Sequence, residues 1–394
     1  MSQSLSSRER MLKAIECGTP DYVPLSFMIF SALETKCANP FEFFERQIEL
    51  GLDTVVDLFR LNAGDNPDCG DAYGPPIRFG PEVRVHEWRE DPPGERYPLL
   101  HKEYQTPDGT LTCVVSKTDD WQSGNHVPFL DDYIEARAKK HLVTRAEDLP
   151  ALRHLLGPVR KQDVDRLRQL WGEGKRFAEQ RGLLTTGGWG VGADALAWLC
   201  GLQESVLTAV DQPDLFEAIL DVVSTWNRWR MEVALDLGDD VDNRRAWYEG
   251  TDFWSPALYE RHFLPRLKQE AAWAHQAGAK FAYILTSGSM PLLEKFIEAG
   301  VDVLIGVDPI QGKGTELAEM KRRVAGKMCL WGGVNGFLTV ERGEKADVRA
   351  AVREALRTLG PDGFILSPVD NIRDTTDAVW GKTMALIDAW KAMR

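Results

Sequence analysis

The 394-residue sequence lacks closely spaced cysteines, long apolar runs and an apolar leader. Its six cysteines form no Cys-x-x-Cys or Cys-x-Cys pair, which argues against a disulfide framework. No uninterrupted apolar run approaches the ~18 residues that span a bilayer. The first segment, MSQSLSSRERMLK, has no apolar core of a secretory signal. We therefore expect a cytoplasmic protein with reduced thiols and no membrane attachment.

The sequence also lacks an excess of basic charge and the glycine motifs of nucleotide-binding proteins. A formal net charge of −13 disfavours binding to nucleic acid or to anionic membranes, because both require basic patches. The stretch Gly187-Gly188-Trp189-Gly190 has neither the lysine of a P-loop nor the GxGxxG spacing. Small molecules or other proteins are the expected partners.

Short apolar segments alternate with amphipathic helical segments along most of the chain. The clearest unit is Lys280 to Val307, where an apolar run, a polar turn, an amphipathic segment and a second apolar run predict strand, helix and strand. Eight such strands are predicted, at 23–28, 53–59, 183–186, 245–249, 281–285, a run ending at 307, 328–332 and 363–367. The alternation predicts an α/β fold, a (β/α)8 TIM barrel, with an open doubly wound sheet as the main alternative.

A region rich in glycine and proline interrupts this alternation after the second predicted strand. Residues 61–132 contain alternating polar and apolar stretches, and Pro107-Asp108-Gly109 between two of them predicts a hairpin. Residues 133–180 are charged and predicted to be helical. We expect a single domain over residues 1–394 with a β-rich insertion at about 61–132, because so long a connection is unusual unless it covers a site.

Several motifs resemble one known family. They are SRERMLKAIECGTPDYVPL at the start, TPDGTL in the hairpin, EGTDFWSPALYERHFLPRLK before the fifth strand, FAYILTSGSMPLLEKFIEAGVDVLIGVD, WGGVNGFLTV and LGPDGFILSPVDNI. In these stretches the chain resembles the uroporphyrinogen decarboxylase superfamily, which includes the methylcobamide-dependent methyltransferases. The resemblance implies a TIM-barrel enzyme and suggests a dimer.

The sequence departs from both branches of that superfamily at the motifs that carry their chemistry. The decarboxylases have an Arg-Gln-Ala-Gly-Arg-Tyr stretch after the first strand, whereas this chain has SFMIFSALETK and lacks that pair of carboxylate-binding guanidinium groups. The methyltransferases have a His-x-Cys zinc motif after the fifth strand and a cysteine after the eighth. Here those positions are LTSG and LSPVD, so no zinc site of that type is expected, and no metal ligands are predicted.

Three carboxylates are the candidate catalytic residues. In a TIM barrel the chemistry lies on the loops after the strand carboxyl ends. Glu249 and Asp252 follow the fourth predicted strand and suit a general acid/base pair, or a hard metal ion held together with waters. Asp252 could instead cap the next helix, and Glu249 could form a salt bridge. Asp57 lies within the second predicted strand, where a carboxylate is costly unless it is paired or functional.

A second set of side chains is predicted to bind substrate or cofactor. Thr286, Ser287 and Gly288 form a polar turn at a helix start, with free amides and a positive dipole end. Ser289 is expected to be the N-cap of that helix. The predicted set is completed by polar residues at the other strand ends, by two aromatic residues and by a histidine in the insertion: Asn335, Ser367, Asp370, Trp247, Tyr248 and His126.

These features lead to one functional hypothesis and two alternatives. The first is an enzyme similar to the corrinoid-linked methyltransferases, moving a methyl group between a small methylated compound and a corrinoid (cobalamin-type) cofactor carried on a separate corrinoid protein. In it, Glu249 or Asp57 handles protons while Thr286 and Ser287 orient the leaving heteroatom. The alternatives are a decarboxylase or lyase on a porphyrin-like or other carboxylate, and a non-catalytic tetrapyrrole- or corrinoid-binding protein.

Overall fold

The computed structural model describes residues 4–65, 68 and 74–394. The chain divides into two compact units. The first comprises Met1–Leu61, Trp171–Gly187 and Gly238–Arg394, and the second comprises Asn62–Leu170 and Gly188–Leu237. None of the described helices has the length and apolar character needed to cross a membrane.

Strands and helices alternate over much of the described chain. The strands are β1 Val55–Asp57, β2 Arg84–Glu90, β3 Leu99–Thr106, β4 Gly109–Ser116, β5 Ala138–Lys140, β6 Leu184–Gly190, β7 Val241–Arg245, β8 Lys280–Ile284, β9 Val303–Val307, β10 Cys329–Asn335 and β11 Phe364–Val369. The helices are α1 Ser7–Ile15, α2 Ser31–Glu34, α3 Pro40–Glu49, α4 Asp132–Glu135, α5 Leu149–Leu155, α6 Lys161–Arg181, α7 Ala193–Cys200, α8 Leu202–Asp211, α9 Pro213–Leu237, α10 Pro256–His262, α11 Leu264–Gln276, α12 Leu293–Ala299, α13 Leu317–Val324, α14 Lys345–Leu359 and α15 Asp377–Lys391.

The first unit is built on a parallel sheet in the order β1-β6-β7-β8-β9-β10-β11. Helices connect consecutive strands, since α10 and α11 lie between β7 and β8, α12 precedes β9, α13 precedes β10 and α14 precedes β11. Every residue of β9, β10 and β11 is buried, as expected of strands covered on both faces. Local contacts fix where the helices begin. Helix α3 is an example, because Asn39, the residue before Pro40, accepts a hydrogen bond from the Glu42 amide through its side chain.

The segment before β1 closes this sheet into a ring. Leu25 and Ile29 form parallel bridges with Leu366 and Asn371, and the Asp53 amide donates to the Leu25 carbonyl at 2.9 Å. Residues 24–29 therefore lie between β11 and β1 as an eighth strand. The predicted (β/α)8 TIM barrel is confirmed.

The second unit contains an antiparallel sheet in the order β2-β3-β4-β5, together with α4, α5, α7, α8 and α9. Strands β3 and β4 form the predicted hairpin, with Thr106 opposite Gly109. Alternate residues of these two strands are buried, which gives the sheet one core face. The β-rich insertion after the second barrel strand is confirmed, and it belongs to one unit with residues 133–170 and 188–237.

Several predicted boundaries are wrong. The fourth barrel strand is Val241–Arg245, not 245–249. It was missed because four of its five buried residues (DNRR) are polar. Gly187 to Gly190 belong to β6 instead of a loop, and β5 lies in a region predicted to be helical. Ser289 makes no side-chain capping bond, since a 3-10 turn, Met290–Leu292, precedes α12.

Candidate active site

The loops that follow β7 and β8 lie against each other at the carboxyl-terminal end of the barrel. A Cβ atom added to Gly250 would lie 2.3 Å from the Ser287 carbonyl oxygen, and one added to Gly288 would lie 2.5 Å from the Thr251 amide nitrogen. Gly288 also has a φ of +66°. The Thr251 amide and hydroxyl both donate to the Gly288 carbonyl, at 3.1 and 2.9 Å. Glycine at both positions therefore allows the contact that joins the two loops.

Three side chains form a polar group at this junction, which we call the hydroxyl–acid cluster: Asp252, Ser287 and Lys313. The Ser287 hydroxyl donates to the Asp252 carboxylate. Its oxygen accepts a hydrogen bond from the Lys313 amide at 3.3 Å, and the Lys313 ammonium lies 3.6 Å from Asp252. Because 81% of the Lys313 side chain is exposed, the cluster is open to solvent. The loops after β7, β8 and β9 thus bring together a carboxylate, a hydroxyl and a cation.

Glu249 belongs to a different group, the buried network of Arg244, Glu249, Glu270 and Tyr283. Arg244 donates to Glu249 at 2.6 Å and to Glu270 of α11 at 2.5 Å. The Tyr283 hydroxyl donates to the second Glu249 oxygen at 2.5 Å. Glu249 itself has no exposed surface. Its carboxylate is thus held by β7 and β8 side chains in a buried layer that also includes α11.

Burial and mutual charge fix the protonation of this network. Burial raises the pKa of Tyr283 well above its ordinary value, and the adjacent Glu249 raises it further. Burial opposes the charge on Arg244, yet Glu249 and Glu270 together keep its pKa well above the ordinary value. Tyr283 therefore remains a hydrogen-bond donor and Arg244 remains charged. Every polar contact of Glu249 described above serves to hold the loop after β7 in place.

Asp57 is the last residue of β1 and keeps 31% of its side-chain surface exposed. One carboxylate oxygen accepts a hydrogen bond from the Phe59 amide at 3.0 Å, and the other lies 3.7 Å from the Arg60 guanidinium. Arg60 in turn pairs with Glu34. Surrounding protein disfavours the charged form and raises the pKa of Asp57, with Arg60 acting in the opposite sense. An accessible carboxyl with a raised pKa suits proton transfer.

A third polar group joins the ends of β9 and β10. The Asn335 amide donates to Asp308 at 2.7 Å and to Gln311 at 2.8 Å, and its oxygen accepts from the Leu338 amide at 2.5 Å. Asp308 also accepts hydrogen bonds from the Ile310 and Gln311 amides at 2.8 and 2.9 Å. Asn335, predicted to follow the seventh strand, is its last residue and is 1% exposed. These contacts fix the two loops and leave Asn335 little capacity for a ligand.

Ser367 and Asp370, both predicted to follow the eighth strand, differ in their surroundings. Ser367 lies inside β11, fully buried, and its hydroxyl accepts from the Met28 amide at 2.9 Å while donating to the Pro368 carbonyl. Asp370 directly follows β11, is exposed and has a φ of +63°. Ser367, predicted at the end of the strand 363–367, thus lies inside it, because β11 extends two residues beyond the predicted end.

The remaining predicted residues are half-buried or lie in the second unit. Thr286, Trp247 and Tyr248 are half-buried on the loops after β8 and β7. The Trp247 ring carries the Arg245 guanidinium 4.2 Å from its centroid, and the Tyr248 carbonyl accepts from the Trp254 indole at 2.7 Å. His126 is in the second unit, where Glu87 lies 3.1 Å from its ring and raises its pKa.

The donor set around the site is one of hard oxygen and nitrogen groups. Among residues 4–65, 68 and 74–394, no three histidine, cysteine, aspartate or glutamate side chains are grouped so as to hold a metal ion. Ser287 and Thr286, at the turn after β8, carry hydroxyl groups, which are poor substitutes for the thiolate and imidazole ligands of zinc.

Sequence reasoning missed six residues that build these groups: Arg60, Arg244, Glu270, Tyr283, Gln311 and Lys313. Arg244 gave a usable signal, because two adjacent arginines lie between the apolar residues Val241 and Ala246, and a buried arginine requires carboxylate partners. Because the fourth strand was predicted at 245–249, Arg244 was not assigned to a buried strand. Lys313 lies in a glycine-rich loop, and nothing in the sequence indicates that this loop reaches Asp252.

Comparison with known proteins gives one family and one full-length structural match. The family model described as uroporphyrinogen decarboxylase (URO-D) matches residues 193–390, about half of the chain. A methyltransferase from Methanosarcina mazei has the same fold, with a TM-score of 0.60, 16% sequence identity and 99% of each chain covered. A B12-independent methionine synthase from Shewanella sp. W3-18-1 in complex with selenomethionine matches with a TM-score of 0.41 and 10% identity, over 61% of this chain and 69% of that one. No curated protein sequence matches the chain.

Proposed function

The chain belongs to the uroporphyrinogen decarboxylase family, and from that premise we propose that it is a methyltransferase acting between a small methylated compound and a corrinoid carried on a separate protein. The observation that carries the proposal is the hydroxyl–acid cluster on the loops after β7, β8 and β9. Active sites of TIM barrels are built on these loops. The full-length likeness in fold to a methyltransferase from Methanosarcina mazei favours methyl transfer over decarboxylation.

The cluster suits a reaction in which negative charge develops on a leaving heteroatom. When the bond between a methyl carbon and an oxygen breaks, the electron pair remains on the oxygen. The Lys313 ammonium can donate to that atom, and so can the Ser287 hydroxyl once it turns from Asp252 to the substrate, which stabilises the charge as it forms. Thr286 lies beside them on the same turn. In this role Lys313 supplies the electrostatic contribution that a metal ion gives in zinc-dependent enzymes.

Asp57 is better suited than Glu249 to handle the proton. Its pKa is raised above the ordinary value and its side chain is accessible, so it is the better carrier of a proton to the leaving atom. Glu249 is fully buried and bonded at both oxygens. Asp252, which accepts the hydrogen bond from Ser287, orients that hydroxyl.

The corrinoid supplies the cobalt centre that accepts or donates the methyl group. Large apolar side chains are exposed on the loops after β7, β9 and β10, which suits contact with a partner protein or with the flat face of a macrocycle. These side chains, between 39% and 53% exposed, are Phe253, Ile310, Phe337 and Leu338. The rim therefore fits a cofactor presented from outside the barrel.

The test is demethylation in solution. Purified protein is incubated with reduced cobalamin and a set of methylated oxygen, nitrogen and sulfur compounds, and the absorbance of methylcobalamin is followed. We expect turnover that falls at least tenfold in Asp57→Asn and in Ser287→Ala, in line with the usual contribution of general acid catalysis. Asp388→Asn, an exposed carboxylate on α15, is the matched control. Cobalamin binding without turnover of any compound would instead indicate a non-catalytic corrinoid-binding protein.

A carboxy-lyase is the second candidate, and one observation favours it. Arg60 is a guanidinium beside Asp57 near the carboxyl end of β1, where it suits a substrate carboxylate. The same preparation is therefore offered uroporphyrinogen and small carboxylic acids. Carbon dioxide release that is lost in Arg60→Met, together with no methyl transfer, would favour the lyase.

A further inference from the structure

The β2 strand of the second unit has an unusual outer edge. It is the first strand in the order β2-β3-β4-β5, so among the described residues only one of its sides is paired. All seven of its residues are exposed. The strand pairs with β3 along its whole length without a bulge. The strand at the other edge, β5, has three residues.

Edge strands in monomeric proteins are usually shortened, bent by bulges, interrupted by proline or protected by charged side chains. Strand β2, RVHEWRE, has neither a bulge nor a proline, and its four charged side chains alternate in sign instead of repelling every partner. It also exposes two large apolar side chains, with Val85 at 43% and Trp88 at 38%. A straight seven-residue edge with exposed apolar groups provides a template for another strand.

The charges of β2 identify the occupant. We propose that β2 pairs antiparallel with β2 of a second copy of this chain, about a twofold axis through Glu87, to form one continuous eight-stranded sheet. In this register every residue from Arg84 to Glu90 is paired. Arg84 of each copy lies opposite Glu90 of the other, and His86 lies opposite Trp88, so the strand is complementary to itself.

The central residue of this register is already neutralised within its own chain. Two Glu87 side chains would oppose each other at the axis, and like charges directly opposite destabilise a sheet. The Glu87 carboxylate, however, accepts a hydrogen bond from the Val127 amide at 3.0 Å and lies 3.4 Å from the Lys102 ammonium. His126 lies 3.1 Å away. The carboxylate is thus bound to its own subunit.

The other pairs also suit this register. Trp88 stacks on His101 of β3 with ring centroids 4.6 Å apart and planes 9° apart, so it is held in place for contact with His86 of the second copy. Val85 lies opposite the aliphatic stem of Arg89. A parallel arrangement in register would instead oppose Arg84 to Arg84 and Glu90 to Glu90. The charge pattern therefore selects the antiparallel dimer.

The experiment is a charge exchange measured by sedimentation equilibrium over a range of protein concentrations. The wild-type chain is expected to be a dimer. Arg84→Glu and Glu90→Arg each turn two attractive pairs into two repulsive ones, and each is expected to weaken dimerisation roughly tenfold or more. The double variant Arg84→Glu/Glu90→Arg restores complementarity and is expected to recover the wild-type dissociation constant to within roughly threefold.

The control is Lys139→Glu on the opposite edge strand, β5, which is expected to leave the dimer unchanged. Hydrogen exchange supplies a second readout, because the amides of 84–90 should become protected as the concentration of wild-type protein rises. A monomeric wild-type chain would overturn the proposal. So would single variants that dimerise as tightly as the wild type, or a double variant that dimerises as weakly as the single variants. The inference uses no residue of the proposed active site, so its failure leaves methyl transfer untouched.

Discussion

Two carboxylates on one loop have opposite surroundings. Glu249 and Asp252 both follow β7, three residues apart. Glu249 is fully buried and bonded to Arg244 and Tyr283, whereas Asp252 is exposed and pairs with Ser287 and Lys313. Two carboxylates that are close in sequence therefore need not act together as an acid/base pair. One carboxylate anchors the loop, and the other stands where a substrate can reach it.

The largest expected effect comes from removing the cation of the buried network. Arg244→Met would leave Glu249 and Glu270 buried without their countercharge, and we expect a loss of about 3–5 kcal/mol in the free energy of unfolding. Urea unfolding measures it. Lys313→Met, which removes the cation of the exposed cluster, is the matched control, and we expect it to cost less than about 1 kcal/mol. Equal losses of unfolding free energy in the two variants would contradict the distinction between a stabilising buried network and an exposed cluster.

Asp239, just before β7, extends the comparison to a buried carboxylate that lacks hydrogen-bond partners. Both oxygens are buried without one, and desolvation raises its pKa to about 7. The folded state therefore binds more protons than the unfolded state between about pH 4 and pH 7, so stability falls as the pH rises through this window. We expect Asp239→Asn to stabilise the protein by roughly 2–4 kcal/mol at pH 8 and by much less at pH 4.

Thermal unfolding at a series of pH values measures this effect. Asp388→Asn on α15 is the control, since an exposed carboxylate should give parallel curves. A gain that did not depend on pH would mean that the Asp239 carboxylate is not the titrating group.

The contact between the two loops is expected to be next in magnitude. Gly288→Ala places a Cβ 2.5 Å from the Thr251 amide nitrogen at a φ of +66°. We expect a cost of about 1–3 kcal/mol and a loss of any activity that depends on the cluster. Gly278→Ala tests the cost of positive φ alone, because nothing lies within 4 Å of the added Cβ there. Similar costs at the two positions would show that backbone conformation, and not loop contact, matters.

The smallest effect on stability is expected at Asp252. Asp252→Asn should change the free energy of unfolding by less than about 1 kcal/mol, because its ion pair with Lys313 is open to solvent. Activity should nevertheless fall, since the Ser287 hydroxyl loses the carboxylate that orients it. Denaturant unfolding and turnover measured on one preparation separate the two effects. A stability loss as large as that of Arg244→Met would place Asp252 with the anchoring residues.

The apolar pattern predicted most of the barrel, because buried parallel strands are continuous apolar runs. The fifth strand, predicted at 281–285, is Lys280–Ile284. The fourth was misplaced because Arg244 is buried in β7 by carboxylates on the following loop and on α11, partners that lie 5 and 26 residues away. Such pairing depends on the completed fold and leaves no periodic signal.

The sequence predicted where the candidate site residues lie better than it predicted what each of them does. Placing candidates at strand ends located Asp252 and Ser287 on the loops after β7 and β8, whereas Asp57 was selected as a carboxylate within a strand and ends β1. It did not separate Glu249 from Asp252, because burial of a loop side chain depends on the neighbouring loops. The catalytic roles of these residues, the corrinoid and its carrier protein, and cytoplasmic location remain predictions for experiment.

The closure of the barrel by residues 24–29 also sets a condition on how the protein is made. Leu25 bridges Leu366, and the two residues are separated by most of the chain. During synthesis the first barrel strand must remain without its neighbour until β11 has left the ribosome. Contacts so distant in sequence are slow to form, and the exposed strand edge is prone to aggregation in the meantime. The pairing of residues 24–29 with β11 is therefore the last strand contact of the barrel that can form.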